Sequence, residues 1–75
     1  QQSWDLYVDQ RAACGYCGIH IPFWGPLSHM DHMIPLSKGG LNSIGNMVWA
    51  CAGCDESKSD WLLWDWPLRP WVDRT

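Results

Sequence analysis

The chain has 75 residues, enough for one small domain and too few for a multidomain enzyme. Its formal net charge is −3, so no overall positive field attracts it to a polyanion, and any contact with nucleic acid has to be local. Domains of this size commonly need a disulfide, a metal or a partner in addition to their core. No stretch has the pattern of a membrane span or a signal peptide. Because the first residue is Gln1 rather than Met, we expect residues 1–75 to be one domain of a longer protein.

The N-terminal segment predicts a packing helix. Ser3 is a suitable N-cap, and the helix should end before Gly15. Apolar residues at helical spacing form one stripe: Trp4, Tyr7, Val8 and Ala12. Residues 19–26 alternate poorly and contain two prolines and a glycine, so we expect a short strand that turns into a loop.

The middle of the chain predicts two strands joined by a loop. Residues 29–34 include the apolar Met30, Met33 and Ile34 and stop at Pro35, and we expect them to form a buried strand. Residues 35–45 are rich in Ser, Gly and Asn, which is typical of a flexible loop. Residues 46–50 then predict a second strand that returns towards the first.

A second helix should follow the second strand. Asp55 is a natural N-cap for a helix over residues 56–65, which has to end because Pro67 follows. Residues 66–71 contain two prolines and are expected to lie extended over the surface.

The seven tryptophans have two possible uses. Four are expected to be structural: Trp4, Trp49, Trp61 and Trp64. Trp66 and Trp71, beside Arg69 and Arg74, are candidates for a partner or nucleic-acid surface. Between the two uses, we expect Trp66 and Trp71 to pack the tail against the domain.

Four cysteines form two matched pairs, Cys14-x-x-Cys17 and Cys51-x-x-Cys54. Two residues between thiolates allow a tight turn to direct both sulfurs at one Zn²⁺, and two such knuckles complete a tetrahedral shell. Two disulfides or a redox-active pair are the alternatives. The absence of a secretory signal favours zinc and a reducing compartment. The long segment between the pairs is then where function should be sought.

A further set of motifs lies inside this frame. In order, they are Asp31-His32-x-x-Pro35-Leu36-x-x-Gly39-Gly40, Asn46 followed by apolar residues, and Asp55 with Lys58 after the second cysteine pair. The sequence resembles the HNH nuclease family over Cys14 to Lys58. The resemblance implies a small α+β fold, the ββα-metal finger, here with an N-terminal helix and a structural zinc. It also implies a metal-dependent endonuclease that hydrolyses DNA to 5′-phosphate and 3′-hydroxyl ends.

The residue types suit that chemistry. His32 can take a proton from the attacking water, because imidazole is a usable base at neutral pH. Asp31 offers a hard oxygen ligand for Mg²⁺ or Mn²⁺. Neighbouring strand residues point to opposite sides, so the strand has to end or twist near His32. The resemblance assigns Asn46 the orientation of His32 and makes Asp55 the second ligand of the catalytic cation.

Asp55 departs from the family pattern, in which His or Asn usually follows the second knuckle. Two carboxylates repel each other without a metal and bind a hard dication more strongly with one. Asp55 should therefore favour Mg²⁺, Mn²⁺ or Ca²⁺. The alternative is a decayed site in an inactive zinc-knuckle module that binds nucleic acid or protein, and a small redox protein is a third interpretation. His29 shares a strand face with Asp31 and is either a surface residue or a contact of the cation or phosphate.

Candidate DNA contacts are few: Lys38, Lys58 and Arg69. Because the net charge is negative and zinc-bound thiolates add to it, we expect weak, salt-sensitive DNA binding by the isolated domain. A flanking domain or a protein partner would then supply targeting. We expect no membrane association, and a cytoplasmic location in a bacterium or phage-encoded system.

Overall fold

The computed structural model describes residues 2–23 and 25–71. Within these ranges the elements follow in the order α1 (Gln2–Asp9), β1 (Ser28–His32), β2 (Met47–Cys51) and α2 (Ala52–Lys58). The loop between the strands contains two short 3-10 turns, Leu36–Lys38 and Ile44–Asn46. In this part of the chain no helix has the length and hydrophobicity required to cross a membrane.

The two strands and α2 form a ββα unit. Strands β1 and β2 pair antiparallel, with Ser28 opposite Cys51 and His32 opposite Met47. Helix α2 follows β2 directly, because Cys51 is both the last strand residue and the N-cap, its Sγ accepting from the Cys54 backbone N–H at 3.4 Å. The predicted α+β class, with strand, loop, strand and helix in this order and a helix before them, is confirmed.

Both helices have different bounds from those predicted. Helix α1 ends at Asp9, because Arg11 and Ala12 each have φ of 58°, which a right-handed helix does not allow. Helix α2 begins at Ala52 rather than after Asp55, since the cysteine knuckle itself supplies the cap. It ends at Lys58, well before residue 65, where Ser59 has φ of 47°.

The described residues of the segment 19–26, which are 19–23 and 25–26, do not form the expected strand. The described part of this segment contributes one isolated bridge, between Ala13 and His20. The backbone instead wraps around the first knuckle, where the Cys14 N–H donates to the Ile19 carbonyl at 2.7 Å. This turn brings Ile21 into the core.

Trp49 on β2 is the centre of the main core and is fully buried. Its indole N–H donates to the Ser3 carbonyl at 2.8 Å, and its backbone N–H donates to Gln10 Oε1 at 2.8 Å. The rings of Tyr7 and Phe23 pack against it with centroids 6.3 and 5.5 Å away. Helix α1 is thereby fixed to the back of the sheet.

Three of the tryptophans that were expected to be structural are exposed: Trp64 is 65% exposed, and Trp4 and Trp61 are each 45% exposed. Trp66 packs into the domain, in agreement with the expected packing of the tail. It is 1% exposed, and its indole N–H donates to Ser57 Oγ at 2.9 Å. Residues 66–71 contain turns and are not extended throughout.

Candidate active site

The four cysteine sulfurs lie within 4.8 Å of one another, and among the described residues they are the one such group of metal-ligating side chains. Zn–S bonds of about 2.3 Å in a tetrahedron require S···S separations of about 3.8 Å, and Cys17 Sγ lies 3.8 Å from Cys51 Sγ. The backbone N–H groups of Tyr16 and Cys17 donate to Cys14 Sγ at 3.4 and 3.5 Å. Although burial acts in the other direction, backbone hydrogen bonds lower the pKa of Cys14 to about 7. Both the spacing and the chemistry of these donors fit a structural metal.

Asp31, on β1, is held by two donors from distant parts of the chain. The Tyr16 hydroxyl donates to Asp31 Oδ2 at 2.5 Å, and Lys58 Nζ lies 3.2 Å from the same oxygen. Both of these contacts are made to Oδ2 rather than to Oδ1. Burial raises the pKa of Asp31, although the hydroxyl and the ammonium act in the opposite direction. The Asp31 side chain is 11% exposed and so retains limited access to solvent.

Asp55 reaches the same face of the sheet from the first turn of α2. His29 Nδ1 lies 2.6 Å from Asp55 Oδ2, and both side chains are partly exposed. This hydrogen bond raises the pKa of His29. The Asp55 charge also contributes to raising the pKa of Asp31. The structure therefore places Asp55 against His29, two positions before Asp31 on β1.

His32 is the last residue of β1, so the strand ends at the point where the sequence required it to end or twist. Its Nε2 lies 2.9 Å from Asn42 Oδ1, in the loop that follows. The Lys58 ammonium donates to the His32 carbonyl at 3.1 Å. The imidazole and the backbone of His32 are therefore held by different partners.

Asn46 organises the loop after His32 rather than contacting the imidazole. Its side chain accepts from the Ile34 N–H and donates to the Ile34 and Leu41 carbonyls, each at 2.9 Å. Its own carbonyl accepts from the Met33 N–H at 2.8 Å. The orienting role expected for Asn46 can thus be exerted only through the loop backbone, whereas the direct ring contact belongs to Asn42.

The three basic residues predicted to contact DNA each contact other groups of the protein. Lys58 is fully buried and pairs with Asp31, so its ammonium does not reach the surface. Lys38 is exposed, but it donates to the Asp60 carbonyl at 2.7 Å. Arg69 donates to the Trp66 carbonyl at 2.8 Å. Arg74 lies outside the described residues.

Two residues at this site were missed by the sequence interpretation, Tyr16 and Asn42. Tyr16 is the variable position of a Cys-x-x-Cys turn, and nothing in that spacing indicates its direction. Asn42 lies in a polar loop, where an amide is common. The only signal in the sequence was that Asn42 follows His32 by ten residues. That spacing indicates a contact with the imidazole only when the path of the loop is known.

Comparison with known proteins decides the family. The profile of the HNH endonuclease family matches residues 14–60. This chain belongs to the HNH endonuclease family. A CRISPR-associated endonuclease Cas9 from Corynebacterium diphtheriae is 38% identical over 67 residues, which cover 88% of this chain and 6% of that protein. The type IV methyl-directed restriction enzyme EcoKMcrA of Escherichia coli is 33% identical over 57 residues, covering 71% of this chain and 20% of the enzyme.

The fold of this HNH domain is also similar to a solved structure. The crystal structure of the type II-C Cas9 enzyme from Actinomyces naeslundii matches with a TM-score of 0.76 and 30% identity. The match covers 95% of this chain and 7% of that protein. The chain thus spans a small fraction of the length of each relative, and the HNH domain is the part they share.

Proposed function

We propose that this HNH domain is a metal-dependent endonuclease that hydrolyses DNA phosphodiester bonds with one divalent cation. The observation that carries the proposal is the contact of Asp55 with His29, two positions before Asp31 on β1, the strand that His32 ends. The names of the relatives, a CRISPR-associated endonuclease and a methyl-directed restriction enzyme, support nuclease chemistry and suggest DNA as the substrate.

In this proposal His32 is the general base. As the Asn42 amide is oriented, its Oδ1 accepts a hydrogen bond from Nε2–H of the imidazole, which leaves the lone pair on Nδ1 to take a proton from water. The water oxygen forms a bond to phosphorus, and the bond from phosphorus to the 3′ oxygen breaks. The leaving oxygen takes a proton, which gives a 5′-phosphate and a 3′-hydroxyl end. Asn46 contributes by fixing the loop that carries Asn42.

Asp31 and Asp55 are the residues suited to hold the catalytic cation. Their donors are hard carboxylate oxygens, and the contacts with Tyr16, Lys58 and His29 are all made to Oδ2, so Oδ1 of each is the candidate cation ligand. Such a set matches Mg²⁺ or Mn²⁺ better than a softer metal. When bound, a dication of this kind stabilises negative charge on the phosphoryl and leaving oxygens.

The cysteine cluster has a separate role in the proposal. Four thiolates suit Zn²⁺, and a closed four-sulfur shell leaves no position for a substrate. We assign the cysteine cluster a structural role. It connects the first knuckle to the start of α2 and thereby fixes the position of Asp55, the residue after Cys54. Such a cluster of free thiols suits a reducing compartment, in keeping with the bacterial sources of the relatives.

DNA binding by this domain alone should be weak. The net charge is −3, Lys58 is buried against Asp31, and Lys38 is engaged by Asp60. Few cations are therefore free to contact phosphates, and the affinity should fall steeply with salt. Much larger relatives suggest that a flanking domain or a partner supplies the remaining affinity.

The test is relaxation of a supercoiled plasmid by the zinc-loaded domain with Mg²⁺ or Mn²⁺. Cleavage that EDTA stops, that is lost in His32→Ala and that persists in His20→Ala, an exposed histidine elsewhere, supports the proposal. Zinc content is measured on the same samples. If His32→Ala cuts normally, the assignment of the base is wrong. If no divalent cation gives cleavage, the inactive zinc-knuckle binding module becomes the better interpretation.

A further inference from the structure

A tyrosine of the first cysteine knuckle reaches into the candidate active site. Tyr16 lies between Cys14 and Cys17, and its hydroxyl donates to Asp31 Oδ2 at 2.5 Å. The acceptor is a carboxylate oxygen, and hydrogen bonds to an ionised carboxylate are about twice as strong as those between neutral groups. The contact joins the cluster of sulfurs to a carboxylate fifteen positions away in the sequence.

The Tyr16 ring is fixed from both of its ends. At the backbone, the Tyr16 N–H donates to Cys14 Sγ at 3.4 Å. Around the ring, Trp66 packs edge-on with centroids 5.4 Å apart, and Trp71 lies 6.2 Å away. Trp66 is itself buried and tied to Ser57 of α2. The hydroxyl therefore occupies one position with little freedom, which is what a group that orients another side chain requires.

We propose that Tyr16 is a positioning residue for Asp31: its hydroxyl holds Oδ2, so that Oδ1 is the oxygen presented to the catalytic cation. This inference rests on the proposed function, because it takes Asp31 as a cation ligand. Lys58 holds the same oxygen at 3.2 Å, but it enters from α2, so the two donors restrain the carboxylate from different elements. Through Tyr16, the structural metal cluster also sets the geometry of the catalytic metal site.

Tyr16→Phe is the informative variant, because it removes the hydroxyl and keeps the ring against Trp66 and Trp71. Tyr7→Phe is the matched control: its hydroxyl donates to the Ile21 carbonyl at 2.9 Å, in the core behind the sheet. Both proteins are loaded with one equivalent of zinc. Mn²⁺ binding is then measured without DNA from the electron paramagnetic resonance signal of the free ion, and Asp31→Asn identifies binding at this site.

Loss of a hydrogen-bond partner of a metal ligand typically reduces metal affinity 10–100-fold. We therefore expect the half-saturating Mn²⁺ concentration to rise by about that factor in Tyr16→Phe and to stay unchanged in Tyr7→Phe. The urea midpoint supplies a second measurement: Tyr16→Phe should lower it with Asp31 present and much less in the Asp31→Asn background. Mn²⁺ binding by Tyr16→Phe equal to that of the wild type overturns the inference, even if the urea midpoint falls, because the contact would then be structural only.

Failure of the proposed function looks different. In that case the wild type binds Mn²⁺ in an Asp31-dependent way but cleaves no plasmid, and the role of Tyr16 is still decided by the Mn²⁺ titration. If Asp31→Asn leaves Mn²⁺ binding unchanged, Asp31 is not a ligand and the inference is overturned.

Discussion

Replacement of Lys58 by Met separates two roles that one lysine could have. The Lys58 side chain is fully buried, and its ammonium contacts Asp31 Oδ2 at 3.2 Å and the His32 carbonyl at 3.1 Å. Met keeps the unbranched chain and its packing but leaves the Asp31 carboxylate without its charged partner. Breaking a buried pair in this way costs about 3–5 kcal/mol. Because Asp31 keeps the Tyr16 hydrogen bond and is 11% exposed, we expect a loss near the lower end, about 3 kcal/mol.

That loss is large for this domain. At about 0.05–0.15 kcal/mol per residue, 75 residues give a total free energy of unfolding of about 4–11 kcal/mol. The assay is urea unfolding at one fixed free zinc concentration. Lys38→Met is the matched control: its partner Asp60 is 71% exposed, so the loss should be about 0–1 kcal/mol. Adding Asp31→Asn should recover part of the loss in Lys58→Met. A loss below about 1 kcal/mol for Lys58→Met, as a surface phosphate contact would give, would refute the burial argument.

Three further changes have definite expected outcomes. Cys54→Ser removes one sulfur of the four, so the zinc-to-protein ratio by metal analysis should fall and cooperative unfolding by circular dichroism should be lost. Asn42→Ala frees the His32 ring and should lower kcat roughly tenfold, with the Mn²⁺ dependence unchanged. This loss is smaller than the ~10²–10⁴-fold loss expected when a general base is removed. An unaltered kcat would show that Asn42 does not orient the His32 imidazole. Gly40→Ala would place a Cβ 1.8 Å from a backbone carbonyl oxygen, so it should cost about 1–3 kcal/mol, whereas Gly45→Ala meets nothing within 4 Å and should be close to neutral in the same urea assay.

The sequence predicted those features that depend on short-range spacing. Two residues between cysteines constrain each knuckle locally, and Pro35 limits the strand predicted over residues 29–34, which is observed as Ser28–His32. The order of the ββα unit follows from these signals. The start of α2 was missed because Cys51, a residue already assigned to metal binding, also caps the helix. The ends of both helices depend on positive φ angles near Arg11 and at Ser59, which the sequence did not indicate.

The contacts between side chains could not be predicted in the same way. Lys58 follows Asp55 at helical spacing, and whether such a lysine faces solvent or the sheet depends on how α2 packs. Tyr16 reaches Asp31 only because the first knuckle folds against the end of the hairpin. Trp66 is buried because the tail packs it against Tyr16 and Ser57, whereas Trp64 remains exposed. Each of these contacts joins parts of the chain that meet only in the tertiary structure, so local sequence preferences do not predict it.

The charges around the candidate cation site also explain how the departure at Asp55 is tolerated. Two carboxylates on one face should repel each other when no cation is bound, yet each is paired with a basic side chain of the domain. Asp31 has the Lys58 ammonium, and Asp55 has His29 at 2.6 Å. The hydrogen bond to Asp55 raises the pKa of His29. An Asn at position 55 would carry no charge for His29 to balance, so Asp55 and His29 are best understood as one unit. In a decayed site nothing would require this pairing, and its presence favours a functional carboxylate at position 55.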